Sequence, residues 1–341
     1  MDLTATQYNQ RFLDKIASVT GQAELQEAGR QYVKTELLES AFSRAILPQE
    51  PITTADCQRN VNDNSLYVIR DIEPDAEAVG VDNLGEPDGK YIKGERYIIP
   101  IVNFTTKRFQ ITVDDLKAYQ YKITKRIEDK SVPVIEKLED TYFLRLIGAS
   151  LTTNSLPTAG KKGWKSAGTN NYILHTDLVT LKNGLANGLG GNDSKKKEVG
   201  CILMTQEVFE TAVVLPGAGD DFGKDRVLNG VTSDTLHGTK IIKTIKSDLL
   251  PSGHLWAFTK PDFLGHNFAL GDPNFEIKSN FGLIEWQTKE SVGMGIGNAL
   301  SVALLALEGS VAPTAAATDL TITASGTIDA AISAYYAGLT T

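Results

Sequence analysis

The spacing of apolar positions changes along the chain, and each change marks a different kind of element. Tyr8, Phe12 and Ile16 recur four residues apart. Leu25, Ala28, Tyr32, Leu37 and Ala41 continue close to a helical period. This spacing predicts helices that end before Pro48 and Pro51, with Gly21 separating two of them. The segment is either a small helical subdomain or an arm that packs on another chain. Ser65 to Ile72 and Arg96 to Ile111 are then rich in Tyr, Ile, Val, Phe and Thr, which predicts strands. Between them VGVDNLGEPDGKYIKGE is dense in Gly, Asp and Asn. A long two-stranded hairpin with its tip at Gly85 to Gly89 is the expected structure. Such a ribbon is marginal in water by itself, so a surface for it to lie on is expected.

The period changes again at Thr112, a capping hydroxyl followed by Asp114 and Asp115 at the positive end of a helix dipole. Leu116, Tyr119, Ile123, Ile127, Val134, Leu138, Tyr142 and Leu146 form one stripe along roughly 35 residues, or about 50 Å of helix. Pro133 is expected to kink or split it, and Gly148 to stop it. Leu116, Ile123, Ile127 and Leu138 are the expected buried face. A second helix follows, capped by Thr176 and carrying Leu178, Leu181, Leu185 and Leu189 on one side. VGCILMT is a buried strand, and Thr205 caps the helix QEVFETAVVL. Strands are expected at Thr239–Ile245, His254–Phe258 and Phe275–Ser279, with a last apolar stretch from Glu290 to Leu307. The class is α+β. From Gly309 the composition shifts to Ala, Thr, Ser and Gly, which reads as a tail.

Composition adds constraints. Of 341 residues, 41% are hydrophobic and 22% charged, enough apolar mass for a real core. The net charge of -8 argues against a protein that coats phosphate backbones. Two cysteines, Cys57 and Cys201, are too few for a disulfide framework or a cysteine zinc site. The polar start MDLTATQYNQ has no signal-peptide core, and no apolar run approaches the length of a membrane helix. A soluble chain without membrane contact is expected.

Candidate chemistry is sparse. His175, His237, His254 and His266 show no metal-binding spacing. GMGIGNAL lacks the third glycine and following acid of a dinucleotide loop, so it reads as a strand whose glycines allow close backbone packing. GLGGNDSKKK lacks the ending of a phosphate-binding loop. Neither a catalytic residue nor a metal or cofactor site can be assigned. Asp71, Glu73, Asp75 and Glu77 alternate, and an extended chain would put them on one face. They form either a solvated edge that resists aggregation or an acidic comb that meets a basic surface. That surface would be Lys90, Lys93 and Arg96 of the return arm, or a neighbouring subunit.

The order of elements resembles the major capsid proteins of tailed bacteriophages, the Hong Kong 97-type fold. VGCILMTQEVFETAV (199–213) is similar to a strand-then-helix segment of that family. LHGTKIIKTIKSDLLPSGHLWAFTKPDF (236–263) resembles its strand, turn and strand passage, and FALGDPNFEIKSNFGLIEWQTKE its closing strands. The resemblance spans roughly residues 1–308 and rests on short degenerate motifs. It implies an N-terminal helical arm (1–64), an extended hairpin loop (65–111), a spine helix with a peripheral domain (112–171), an axial domain (172–250), closing strands (251–308) and a tail (309–341). It also implies a non-enzymatic shell subunit that assembles as hexamers and pentamers in the host bacterial cytoplasm. The shell would enclose double-stranded DNA in a virion, with portal, scaffolding and decoration proteins as partners. The segment before the hairpin is too short for a cleaved scaffolding region, so a separate scaffold or none is expected. The implied intersubunit residues are Asp71, Glu73, Asp75, Glu77, Asp82, Leu84, Lys90, Lys93 and Arg96. Some relatives cross-link a loop Lys to a neighbour's Asn; Lys90 and Lys93 lie in that element, although an exposed Lys is ordinarily just solvated. Two other readings stay open: a nanocompartment shell enclosing cargo enzymes, and an α+β enzyme with no recognisable motif.

Overall fold

The computed structural model describes residues 4–59, 65–72, 95–118, 123–152, 163–165, 175–186, 198–212, 235–236, 238–251, 253–280, 282–298 and 301–306. The first segment forms helices α1 (Ala5–Ile16), α2 (Val19–Ser40) and α3 (Phe42–Ile46). Thr4 and Gln7 cap α1 reciprocally: the Gln7 N–H donates to the Thr4 hydroxyl, and the Thr4 N–H donates to the Gln7 side chain. The helix break falls at Ala17 and Ser18, not at Gly21, which lies inside α2 and donates its N–H to the Ser18 hydroxyl at 3.0 Å. Phe12 and Ile16 are buried with Phe275, Ile277, Ile284 and Trp286 of the same chain. The apolar face of α1 is thus covered by the chain's own sheet, as a subdomain would have it.

Strands β1 (Gln49–Ile52), β2 (Gln58–Arg59), β3 (Leu66–Ile72) and β4 (Glu95–Pro100) follow. β3 and β4 pair antiparallel from Tyr67↔Pro100 to Ile72↔Glu95, so the expected hairpin is present at its base. Its return arm is shorter than expected. Past Pro100 one more bond joins the two arms, from the Ile101 N–H to the Leu66 carbonyl at 2.9 Å. The chain then enters β5 (Val102–Thr105) and β6 (Phe109–Thr112), which pair with a different strand. Glu73, Asp75, Glu77, Asp82, Leu84, Lys90 and Lys93 lie outside the described residues.

The expected spine begins as α4 (Val113–Ala118), where the Asp115 N–H donates to the Thr112 hydroxyl at 3.0 Å, and continues as α5 (Ile123–Thr152). Leu116 is fully buried, but on α4, in the cluster beneath α1. Tyr119 and the side chains of Ile123 and Ile127 lie outside the described residues. α5 runs through Pro133 without splitting and past Gly148. Pro133 is exposed, so water can serve the carbonyl whose partner N–H it lacks. The buried face is also rotated from the expected stripe. Val132, Ile135, Phe143, Leu144 and Ile147 are buried, Leu138 and Tyr142 lie at the margin, and Val134 is 48% exposed. The reason is that Glu136, Glu139 and Asp140 occupy the buried face, so an apolar count misplaces it.

The remaining elements are β7 (Gly163–Lys165), α6 (His175–Ala186), β8 (Val199–Thr205), α7 (Gln206–Ala212), β9 (Thr235–Leu236), β10 (Thr239–Thr244), β11 (His254–Thr259), α8 (Pro261–Leu264), β12 (Gly265–Leu270), β13 (Asn274–Asn280), β14 (Leu283–Ile296) and β15 (Val302–Ala306). One six-stranded sheet runs β1-β12-β14-β13, with β5 and β6 also on β14. A second runs β7-β15-β11-β8-β10-β9. The third is β2-β3-β4. The second sheet buries Leu178, Leu181 and Leu185 of α6 with Ile202, Met204, Leu255 and Leu305. It draws β7 from before residue 172 and β11 and β15 from after residue 250, so the expected 172–250 boundaries cut through a sheet. No described helix is long and apolar enough to cross a membrane.

Candidate assembly surface and the junction behind it

The hairpin stem sits on a row of glycines. In β14 and just beyond it, Gly293, Gly295 and Gly297 face the β4 side of the molecule. A Cβ on Gly293 would lie 2.6 Å from Ile101 Cδ1, one on Gly295 2.6 Å from Ile99 Cγ1, and one on Gly297 2.8 Å from the Tyr97 hydroxyl oxygen. Those distances leave no room for a side chain. The glycines of GMGIGNAL therefore serve close strand packing, as the sequence suggests, and not a phosphate loop.

Below the stem, Val68, Ile99, Ile52 and Phe268 form a small core. The Arg70 guanidinium lies 4.8 Å from the centre of the Phe268 ring, and the His266 ring is stacked on Phe268 at 5.3 Å. His266 Nδ1 is 2.9 Å from Glu50 Oε1, which ties β12 to β1. Burial pushes the Tyr97 hydroxyl pKa up, and Glu50 adds to that while Arg70 opposes it. The opposite face of the ribbon is open. Ile98, cross-strand from Ile69, is 62% exposed. Asp71 and Arg96 pair across the strands at 2.8 Å, and both are exposed. Of the nine expected interface residues, these two are described, and they meet one another.

Behind the stem, a buried ionic junction joins α3, α5 and β14. Arg44 Nε donates to both carboxylate oxygens of Glu139 at 3.0 Å, and its Nη2 donates to Glu290 Oε1 at 2.7 Å. Gln49 Nε2 also donates to Glu290 Oε1 at 3.2 Å. Lys246 is bound by Glu136 and Asp140, and the Ser43 N–H donates to Asp140 Oδ1 at 3.0 Å. Burial acts against the Arg44 charge, but Glu139 and Glu290 outweigh it and raise its pKa. Burial pushes the Glu139 carboxyl up to about 7, with Glu290 and Asp140 adding to the rise and Arg44 opposing it. Asp140 is raised too, by burial first, with Lys246 opposing. None of these residues stood out in the sequence. The signal was the carboxylate spacing at 136, 139 and 140, one face of a helix, which a search for apolar stripes passes over.

Elsewhere, burial raises the Cys201 thiol to about 12 and lowers His254 to about 4, so neither group is poised for chemistry near neutral pH. Among the described residues, no cluster of His, Cys, Asp and Glu could hold a metal ion.

No family model and no curated protein matches the sequence. Solved structures do match. The mature capsid subunit of bacteriophage PhiM1 superposes with a TM-score of 0.52 and 10% identity, over 80% of this chain and 88% of that one. The capsid subunit of cyanophage Pam1 gives 0.50 and 10%, over 75% and 87%. The chain has the Hong Kong 97-type capsid fold. A virus-like particle from Pyrococcus furiosus is also similar, with a TM-score of 0.48 and 15% identity, over 82% of this chain and 98% of that one. In this capsid fold the open face of the ribbon and the long helix α5 belong to one chain, and the ionic junction ties that helix to the N-terminal segment.

Proposed function

We propose that this chain is the major capsid protein of a tailed bacteriophage, a structural subunit and not an enzyme. Copies would form hexamers and pentamers that close into an icosahedral shell around double-stranded DNA. The observation that carries this reading is the ribbon of β3 and β4, set on a capsid-type fold with one face open to solvent. Identical subunits in head-to-tail contact close into rings, and an open face repeated around a ring is a natural contact. The extended loop would then be 65–111, and Asp71, Glu73, Asp75, Glu77, Asp82, Leu84, Lys90, Lys93 and Arg96 would face neighbouring subunits. The net charge of -8 suits a shell lining that must not grip packed DNA. Portal, scaffolding and decoration proteins are further partners on this reading, with assembly in the host bacterial cytoplasm and the virion as destination.

Electron microscopy of the purified full chain, with nuclease digestion of any particles, tests this. Closed shells that admit and protect DNA are expected. Shells that enclose protein cargo in place of DNA would move the assignment to a nanocompartment. A chain with catalytic turnover and no particles would point to an enzyme.

A further inference from the structure

The junction of α3, α5 and β14 carries more negative than positive groups. Glu136, Glu139, Asp140 and Glu290 face Arg44 and Lys246, and all but Glu136 and Lys246 are almost completely shielded from water. Glu290 Oε2 is buried and has no hydrogen-bond partner among the described residues. Two cations cannot balance four carboxylates, and an uncompensated buried charge is costly enough that the group takes up a proton instead.

Among the described side chains, no further cation reaches the centre: on β10, which packs on α3, Lys243 lies over the Phe209 ring and Lys240 is exposed. On α5, Lys137 is engaged outward with Asp248, and Arg145 lies more than two turns past it. On β14, Lys289 points to solvent. β1 offers the neutral Gln49, and β5 (VNFT) and β15 (VALLA) have no titratable residue. α2 meets α5 through Tyr32 and Val33.

We propose that this junction is a proton-held lock: it carries one proton when closed, and losing that proton in alkaline solution frees α3 from α5 and β14 ahead of the rest of the fold. The step is a simple acid dissociation. A carboxyl O–H bond breaks, its electron pair stays on oxygen, and the proton passes to water or buffer. Glu139 and Glu290 both bind Arg44, so the negative charge of Glu290 helps keep the proton on Glu139. The direction follows from linkage. The Glu139 carboxyl sits at about 7 when folded against an ordinary 4.5. The stabilising contribution of its protonated form is complete below 4.5 and is lost as pH rises through about 7.

Hydrogen–deuterium exchange of the full chain at pH 6 and pH 8.5 tests the lock. Rates are converted to protection factors, and light scattering checks that the assembly state is the same at both pH values. Protection of α3 and of residues 131–147 should fall about tenfold between the two, while β8 and β11 keep theirs. Glu139→Gln removes one charge but also loosens the Arg44 contact, so it can simply fail to fold. Glu290→Gln keeps an oxygen for Arg44 and removes the surplus, and in it the pH-dependent loss should shrink to less than twofold. Unchanged protection in the native chain, a loss spread equally over both sheets, or the same loss in Glu290→Gln would each overturn the proposal.

Discussion

β11 and the β3–β4 ribbon are built from similar residue types and have opposite fates. All six residues of β11 are buried, including the large rings of Trp256 and Phe258. In the ribbon, Val68 and Ile99 alone are buried among the described side chains. β11 lies between β15 and β8, under helices that cover its sheet. One face of the ribbon packs on the glycine row of β14 and on Ile52 and Phe268, and the other is in water. The body thus builds a core from its own elements, whereas the ribbon leaves Ile98 in water.

Substitutions can break this contrast. The largest effect should come from Trp256→Ala. Its side chain is fully buried, so the loss should be about 3–5 kcal/mol in denaturant melts, enough to unfold much of the population. Ile98→Ala on the open face should change the melt by less than about 0.5 kcal/mol.

Acid should weaken the body next. Burial holds His254 neutral, with its pKa lowered from 6.5 to about 4. A neutral buried His contributes stability that is complete above 6.5 and is lost as pH falls towards 4. The loss approaches about 3 kcal/mol at the acid limit. Melting from pH 7 to pH 4.5 should show it, and His254→Gln should flatten the slope. Glu139 acts in the opposite sense, so two regions of one molecule titrate against each other.

Gly295→Val should act between the two regions. A side chain there meets Ile99, and relieving that contact should cost about 1–3 kcal/mol by overpacking. The lost protection should be confined to β3 and β4 in hydrogen exchange. Smaller still is the Asp71–Arg96 pair, exposed on both sides. A double-mutant cycle to Ala should give a coupling under about 1 kcal/mol, screened further by salt.

The body was more legible in the sequence than the ribbon's surroundings. VGCILMT and HLWAFT are continuous apolar runs with turn residues beside them, and both are strands. The leucines of α6 give the buried face directly. By contrast, β4, β5 and β6 share one composition, and local pattern does not say that β5 and β6 leave the hairpin for β14. That choice is made by contacts such as the Thr106 N–H to the Thr288 carbonyl at 2.9 Å, far apart in the chain. The ionic junction was hidden for a related reason. Its charged residues read as surface until Arg44 and Lys246 arrive from other elements.

Deletion of residues 82–89 is the most direct test of the claim that the hairpin serves neighbouring subunits and not its own core. That stretch, DNLGEPDG, contains a single apolar residue, Leu84. Shortening a surface loop should change the fold by less than about 1 kcal/mol. Contacts repeated at every subunit junction of a closed lattice would all be lost together. Unchanged circular dichroism and melting are expected, with no shells by electron microscopy where the full chain forms them. Normal shells from the shortened chain, or loss of its folded structure, would contradict it.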